Sequence, residues 1–211
     1  MTVRDITLVG SILIGVVIIT IDETRERPTV HDEATLEKLG FMLHQGSVHT
    51  ARTIMLDELS VLFDAIPADA DWAAHSHAIC EDNSLAKRSG RTRALTARHL
   101  KQLYGMSAAN PIYAGLRYFW ARDIPARPQL ALLAASARDP LLRDIALAIV
   151  KTAPDTRVSR ERVETLIADR WPDRFSAATL KSTAQNVNSS LTKSGHLLGR
   201  VKKVRRRVEP A

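Results

Sequence analysis

FSAATLKSTAQNVNSSLTKSGHLLGRVKKVRRRV, residues Phe175–Val208, decides how this chain is read. With Arg174 in front of it, the stretch holds nine Lys or Arg and no Asp or Glu. Leu180, Ala184, Val187 and Leu191 recur at i, i+4, i+7 and i+11, one narrow apolar stripe of a helix. Ser176 suits its N-cap and Gly195 its C-terminal stop, so the helix runs from about Ser176 to Ser194. Lys181, Ser182, Gln185, Asn186, Ser189 and Lys193 fall away from the stripe and none is negative. Behind the helix, His196–Leu198, a turn near Gly199 and Val201–Val208 read as a short basic hairpin.

The segment in front completes a unit. Val163, Leu166, Ile167 and Trp171 mark an amphipathic helix capped by Ser159, and Trp171-Pro172-Asp173-Arg174 supplies a turn. Helix, turn, helix and hairpin are the pattern of a winged helix, whose second helix lies in a groove of nucleic acid. Amide side chains suit adenine edges, while hydroxyls and lysines suit phosphates. The competing reading is an ordinary terminal helix with a disordered basic tail.

Charge along the chain is segregated. Residues 1–82 hold 14 acids and 5 bases, residues 83–122 hold 8 bases and no acid, and residues 123–173 hold 8 of each. Net charge is +7. Two acid-free basic windows point to a polyanion, since solvated faces ordinarily mix signs. In the central window Lys87, Arg88, Arg91 and Arg93 are candidate phosphate contacts, on two helical pieces, Asn83–Arg88 and Thr92–Tyr104, broken at Ser89-Gly90. Cys80, the one cysteine, excludes an intramolecular disulfide and suits a reducing compartment.

Ile6–Ile21 is an uncharged run of 16 residues, short of the ~20 a membrane span needs. It leaves open an anchoring segment, a buried element, or a start placed too far upstream. Residues 1–33 are set apart as leader and linker, 34–153 as a helical domain and 154–211 as the basic winged-helix-like domain, with the boundary at Thr152–Thr156. Apolar stripes at Leu36/Leu39/Leu43, Met55/Leu59/Leu62/Ile66, Ile112/Leu116/Phe119/Trp120, Leu130/Leu133/Ala134/Ala137 and Leu142/Ile145/Ile149 make the fold mostly α, a helical bundle. Pro111, Pro128 and Pro140 open helices, the last capped by Asp139. His75, His77 and Cys80 match no zinc spacing and read as a helix with Trp72 and Ile79 inward and the histidines outward. No catalytic motif, phosphate loop, metal site or cofactor site is found, and the expectation is a protein that is not an enzyme.

Three blocks taken together resemble a known family. They are Glu81-Asp82-Asn83 with Leu85, Lys87-Arg88, Thr92-Arg93 and Leu103-Tyr104; Leu130 through Arg143; and Phe175-Ser176, Thr179 through Ser182, Asn186 and Ser189 through Leu197. In this order, over roughly Leu39 to Arg207, they look like the BrxA family of BREX bacteriophage-exclusion systems. The resemblance implies a small, largely helical, cytoplasmic protein that binds double-stranded DNA beside other BREX components, with no enzymatic activity of its own. Residues 1–35 depart from the family pattern, which keeps inner-membrane association through Ile6–Ile21 open. The DNA contacts expected from helical geometry are Lys181, Ser182, Gln185, Asn186, Ser189, Lys193 and His196. They are joined by Arg200, Lys202, Lys203, Arg205, Arg206 and Arg207 of the hairpin and by the central window. Two other readings remain: an interaction scaffold using its basic windows on acidic partners or RNA, and a membrane-anchored protein.

Overall fold

The computed structural model describes residues 33–44 and 46–208. Within them the chain is mostly helical, with one small antiparallel sheet near the C-terminus. The helices are α1 (Glu33–Lys38), α2 (Leu56–Ala65), α3 (Trp72–Cys80), α4 (Gly90–Tyr104), α5 (Pro111–Trp120), α6 (Arg127–Arg138), α7 (Pro140–Val150), α8 (Arg160–Arg170) and α9 (Ala177–Lys193). A 3-10 turn, Val48–Thr50, precedes α2, and strands β1 (Leu197–Leu198) and β2 (Val204–Arg205) follow α9. Ile6–Ile21 and its linker lie outside the described residues, and no helix of the described part is long and apolar enough to cross a membrane.

Most boundaries follow the caps. Asp71, Ser89, Asn110, Asp139, Ser159 and Ser176 each accept a first-turn N–H of the helix they open. Gly195 takes φ +83° just past α9, as expected of a helix stop. Gly199 is required for a different reason: at φ +107° a Cβ would stand 2.1 Å from the Lys202 carbonyl oxygen, so only glycine closes the hairpin.

Four local expectations are corrected. Asn83–Arg88 is not helical: Asn83 and Ala86 have φ near +50°, and the Asn83 side chain accepts the Lys87 N–H, an alternative to a helical ladder. The stripe through Leu43 is cut short because α1 ends at Lys38 and Gly40 turns the chain at φ +98°. His75 does not face outward. It is fully buried, with Nε2 2.7 Å from the Tyr113 hydroxyl and Nδ1 2.6 Å from the Asp71 carbonyl oxygen; His77 alone is exposed. Phe119 is only half-buried, and Tyr113 takes its place in the core.

Helix α6 is central. It packs against α4, α5 and α7, and its alanines (Ala131, Ala134, Ala135, Ala137) let those helices approach closely. One buried core runs from Phe41 to Leu197 and continues across Pro154. Helix α9 lies on α8 and also reaches back to the 3-10 turn, and its Lys193 pairs with Asp57 at the start of α2.

That long reach depends on a buried polar cluster. Asp139 Oδ1 caps α7, while Oδ2 accepts from Val48 N–H and Ser47 Oγ, both at 2.9 Å, and lies 2.8 Å from His49 Nδ1. His49 Nε2 is 3.0 Å from Ser190 Oγ of α9, and that hydroxyl also accepts the Ile54 N–H and donates to the Asn186 carbonyl. These donors outweigh the burial that would raise the Asp139 pKa, so the carboxyl titrates below its ordinary range. Carboxylate, imidazole and hydroxyl stand in the order of a hydrolytic triad. However, His49 and Ser190 are 0% exposed and the serine's hydrogen bonds are used within the fold. The cluster is a clamp joining residues 47–54, α7 and α9. Replacing Asp139 with Ala leaves several buried donors unpaired and is expected to cost about 3–5 kcal/mol in a denaturant titration. Asp139→Asn, which keeps an oxygen for the cap, loses less.

Candidate nucleic-acid interface

The segment leading into α8, together with α8, α9 and the hairpin, forms one connected unit. The hairpin does not hang free: Val204 bridges Arg157 ahead of α8, Val158 N–H donates to Lys203 O, and Asp155 N–H and Arg205 N–H exchange bonds with Arg205 O and Thr156 O. β1 and β2 pair through Leu197–Arg205 and Leu198–Val204. A third extended segment therefore backs the hairpin and fixes it beside α9.

The face of α9 turned from the core has the expected chemistry with one change. Lys181 and Gln185 are exposed, Ser182, Ser189 and Lys193 are half-buried, and no carboxylate stands among them on the helix. Asn186 lies at the inner border and donates Nδ2 to the His49 carbonyl at 2.9 Å, so it locks the helix to the 3-10 turn. Lys193 pairs with Asp57 at 2.5 Å.

In the hairpin, Arg200, Lys202, Arg206 and Arg207 are exposed. The expectation that Arg205 contacts DNA is overturned. Val201 is 90% exposed, whereas Arg205 is 7% exposed and donates Nη2 to the Val150 carbonyl at the end of α7. The negative end of that helix is an electrostatic partner for the guanidinium, which removes Arg205 from the phosphate contacts. Lys203 bends back, donating Nζ to Thr192 Oγ1 at 2.7 Å and to the Gly199 carbonyl. His196 packs behind the hairpin, with Nδ1 3.0 Å from Ser194 Oγ.

The central window reaches the same neighbourhood through α2. Lys87 pairs with Glu58 at 3.0 Å, and Glu58 is the neighbour of the Asp57 that holds Lys193. The first turn of α2 thus stands between the two basic windows. Arg88 and Arg91 are exposed at the start of α4, and Arg93 is half-buried. The acids of α2 were not legible as bridges in the sequence, because each partner is distant: Asp57 and Lys193 are 136 residues apart. Among the described residues no group of three or more His, Cys, Asp or Glu gathers to hold a metal ion.

Burial, then the Arg205 charge, pushes His196 down to about 4, and burial lowers His75 as well. Both imidazoles are therefore neutral in the fold at pH 7, and His196 adds no charge toward phosphate. As pH falls from about 6.5 to 4, the unfolded chain takes up protons that the folded chain refuses, so stability drops across that window and does not return below it. Denaturant midpoints measured from pH 7 to 4 are expected to fall, and His196→Gln is expected to make the fall shallower by about 1–3 kcal/mol.

No protein-family model and no curated protein matches this chain, so the reading of the interface rests on its own geometry.

Proposed function

We propose that the protein binds double-stranded DNA through a winged-helix unit made of α7, the extended segment at Arg157, α8, α9 and the β1–β2 hairpin. The observation that carries this reading is the acid-free face of α9, with Lys181, Gln185 and Ser189, set beside a hairpin that presents Arg200, Lys202 and Arg206 to solvent. The order of elements supports it too, because the strand segment between two helices and the hairpin it backs are the parts of a wing.

Phosphate contacts outnumber base contacts in this arrangement, so binding is salt-dependent and only weakly sequence-dependent. Of the residues expected at DNA, Arg205 is left out for its burial, and Asn186 and His196 serve the fold. The contact set becomes Lys181, Ser182, Gln185, Ser189, Arg200, Lys202, Arg206 and Arg207, with Lys203 and Lys193 at the edge. Arg88, Arg91 and Arg93 extend it across α2, where Lys87 and Lys193 exchange their carboxylate partners for phosphate as DNA approaches. The chain acts as a non-catalytic accessory, and the blocks resembling the BrxA family support a place in BREX phage defence beside other components of such a system.

The test is fluorescence anisotropy with a labelled random duplex between about 50 and 200 mM salt. The triple variant Arg200→Ala, Lys202→Ala and Arg206→Ala is expected to lower affinity for every duplex and to flatten the slope of log affinity against log salt by about 2–3 units. An unchanged slope would discard the hairpin as a phosphate-binding wing. Gly199→Ala, which distorts the turn without touching charge, is expected to weaken binding in the same direction.

A further inference from the structure

Phosphate attraction accounts for the bases of the hairpin tip but not for its apolar side chains. Five large hydrophobic residues are exposed among the described residues, and two of them, Leu198 and Val201, belong to this one turn. Val201 is 90% exposed and Leu198 54%, while Leu197 beside it is buried. Arg200 and Lys202 flank Val201, both exposed, and residues 174–208 contain no acid. A single exposed apolar residue is ordinary. Two of them among cations, in a turn that polar residues usually fill, call for a partner that is apolar within and negative outside.

The tip is also braced. Lys203 Nζ donates to the Gly199 carbonyl and to Thr192 Oγ1, which ties the turn to α9. Below it, Val158 N–H donates to Lys203 O, Arg205 N–H to Thr156 O and Arg206 N–H to His196 O. Val201 borders the space between the hairpin and α9, which Gln185 and Ser189 line from the opposite side. A duplex seated on that face of α9 therefore meets Val201, held out on a fixed turn.

We propose that Val201, with Leu198 behind it, is an apolar wedge that enters the minor groove, partly unstacks one base step and bends the duplex. The inference rests on the DNA-binding reading and adds which duplexes the chain favours. Burying the two side chains among deoxyriboses and base edges is favourable, whereas unstacking a step is costly. The balance is met most readily at pyrimidine–purine steps, above all TA, which unstack easily. Charge alone makes the opposite choice. A stiff A-tract has the narrower minor groove and the stronger negative potential, which draws arginine and lysine. An alternating TA run and an A-tract have the same base composition and the same charge, so they separate a wedge from a merely basic tip.

The test is anisotropy of the full chain with two labelled duplexes of equal length, one with a central alternating TA run and one with a central A-tract. A fluorescent adenine analogue within the run reports unstacking, and dyes on the two ends report bending by energy transfer. The TA duplex is expected to bind at least about threefold tighter, with a rise in the analogue's emission and in energy transfer. Val201→Ser is expected to abolish the preference, the unstacking and the bend together. The slope of log affinity against log salt stays unchanged in that variant, because Arg200 and Lys202 remain. Val201 is so exposed that its replacement removes no packing, and thermal melting confirms the fold. Leu198→Ser is expected to reduce the same three signals in part. Equal affinity for the two duplexes, a preference for the A-tract, or unstacking that survives Val201→Ser overturns the wedge. Duplex binding that keeps its salt slope in that case leaves the DNA reading standing, whereas absence of any duplex binding overturns both.

Discussion

A single carboxylate holds the two ends of the described fold together. Asp139 caps α7 with one oxygen and gathers Ser47, Val48 and His49 on the other, and His49 passes the connection to Ser190 in α9. A buried anion is tolerable only where donors surround it, and here they come from two parts of the chain, residues 47–49 and the first turn of α7. The position and tilt of α9, and with it the face proposed to meet DNA, follow from where that carboxylate sits.

The same clamp explains the division of labour along α9. Its inner face carries Ala184, Val187 and Leu191 for packing and Ser190 for the clamp, its border carries Asn186 for the 3-10 turn, and the remainder is left to solvent. Asp57 and Glu58 at the start of α2 then meet one lysine from each basic window. Pairs this open to solvent on at least part of their surface contribute modest stability, which suits contacts that a polyanion can displace.

Local signals in the sequence translated well into local structure. Ser176, Gly195, Ser159 and the prolines at helix starts act through groups within a turn of themselves, so their meaning is visible in a short window. The same is true of Asp139 as a cap. Its second role is not visible, because His49 is 90 residues away and nothing in HisThr or AspPro announces a partner. His75 was misread for the same reason: a histidine on a helix shows no inward preference until Tyr113 is known to face it. Arg205 turns inward, against its expected place at DNA, because the hairpin is backed by the segment at Arg157, which decides its inner side independently of hydrophobicity. Positive φ at Asn83 and Ala86 likewise defeats a reading built on helical spacing.

The distance between Ser190 and its partners also bears on how the chain is made. Ile54 N–H and His49 Nε2 have their acceptor and neighbour about 140 residues downstream, in the last helix of the described residues. In N-to-C synthesis the earlier helices are made before this polar pair has its partner and before the surface under α9 has its cover. A chain cut before α9 therefore lacks the acceptor for the Ile54 N–H and the cover that Ala184, Val187 and Leu191 give the core.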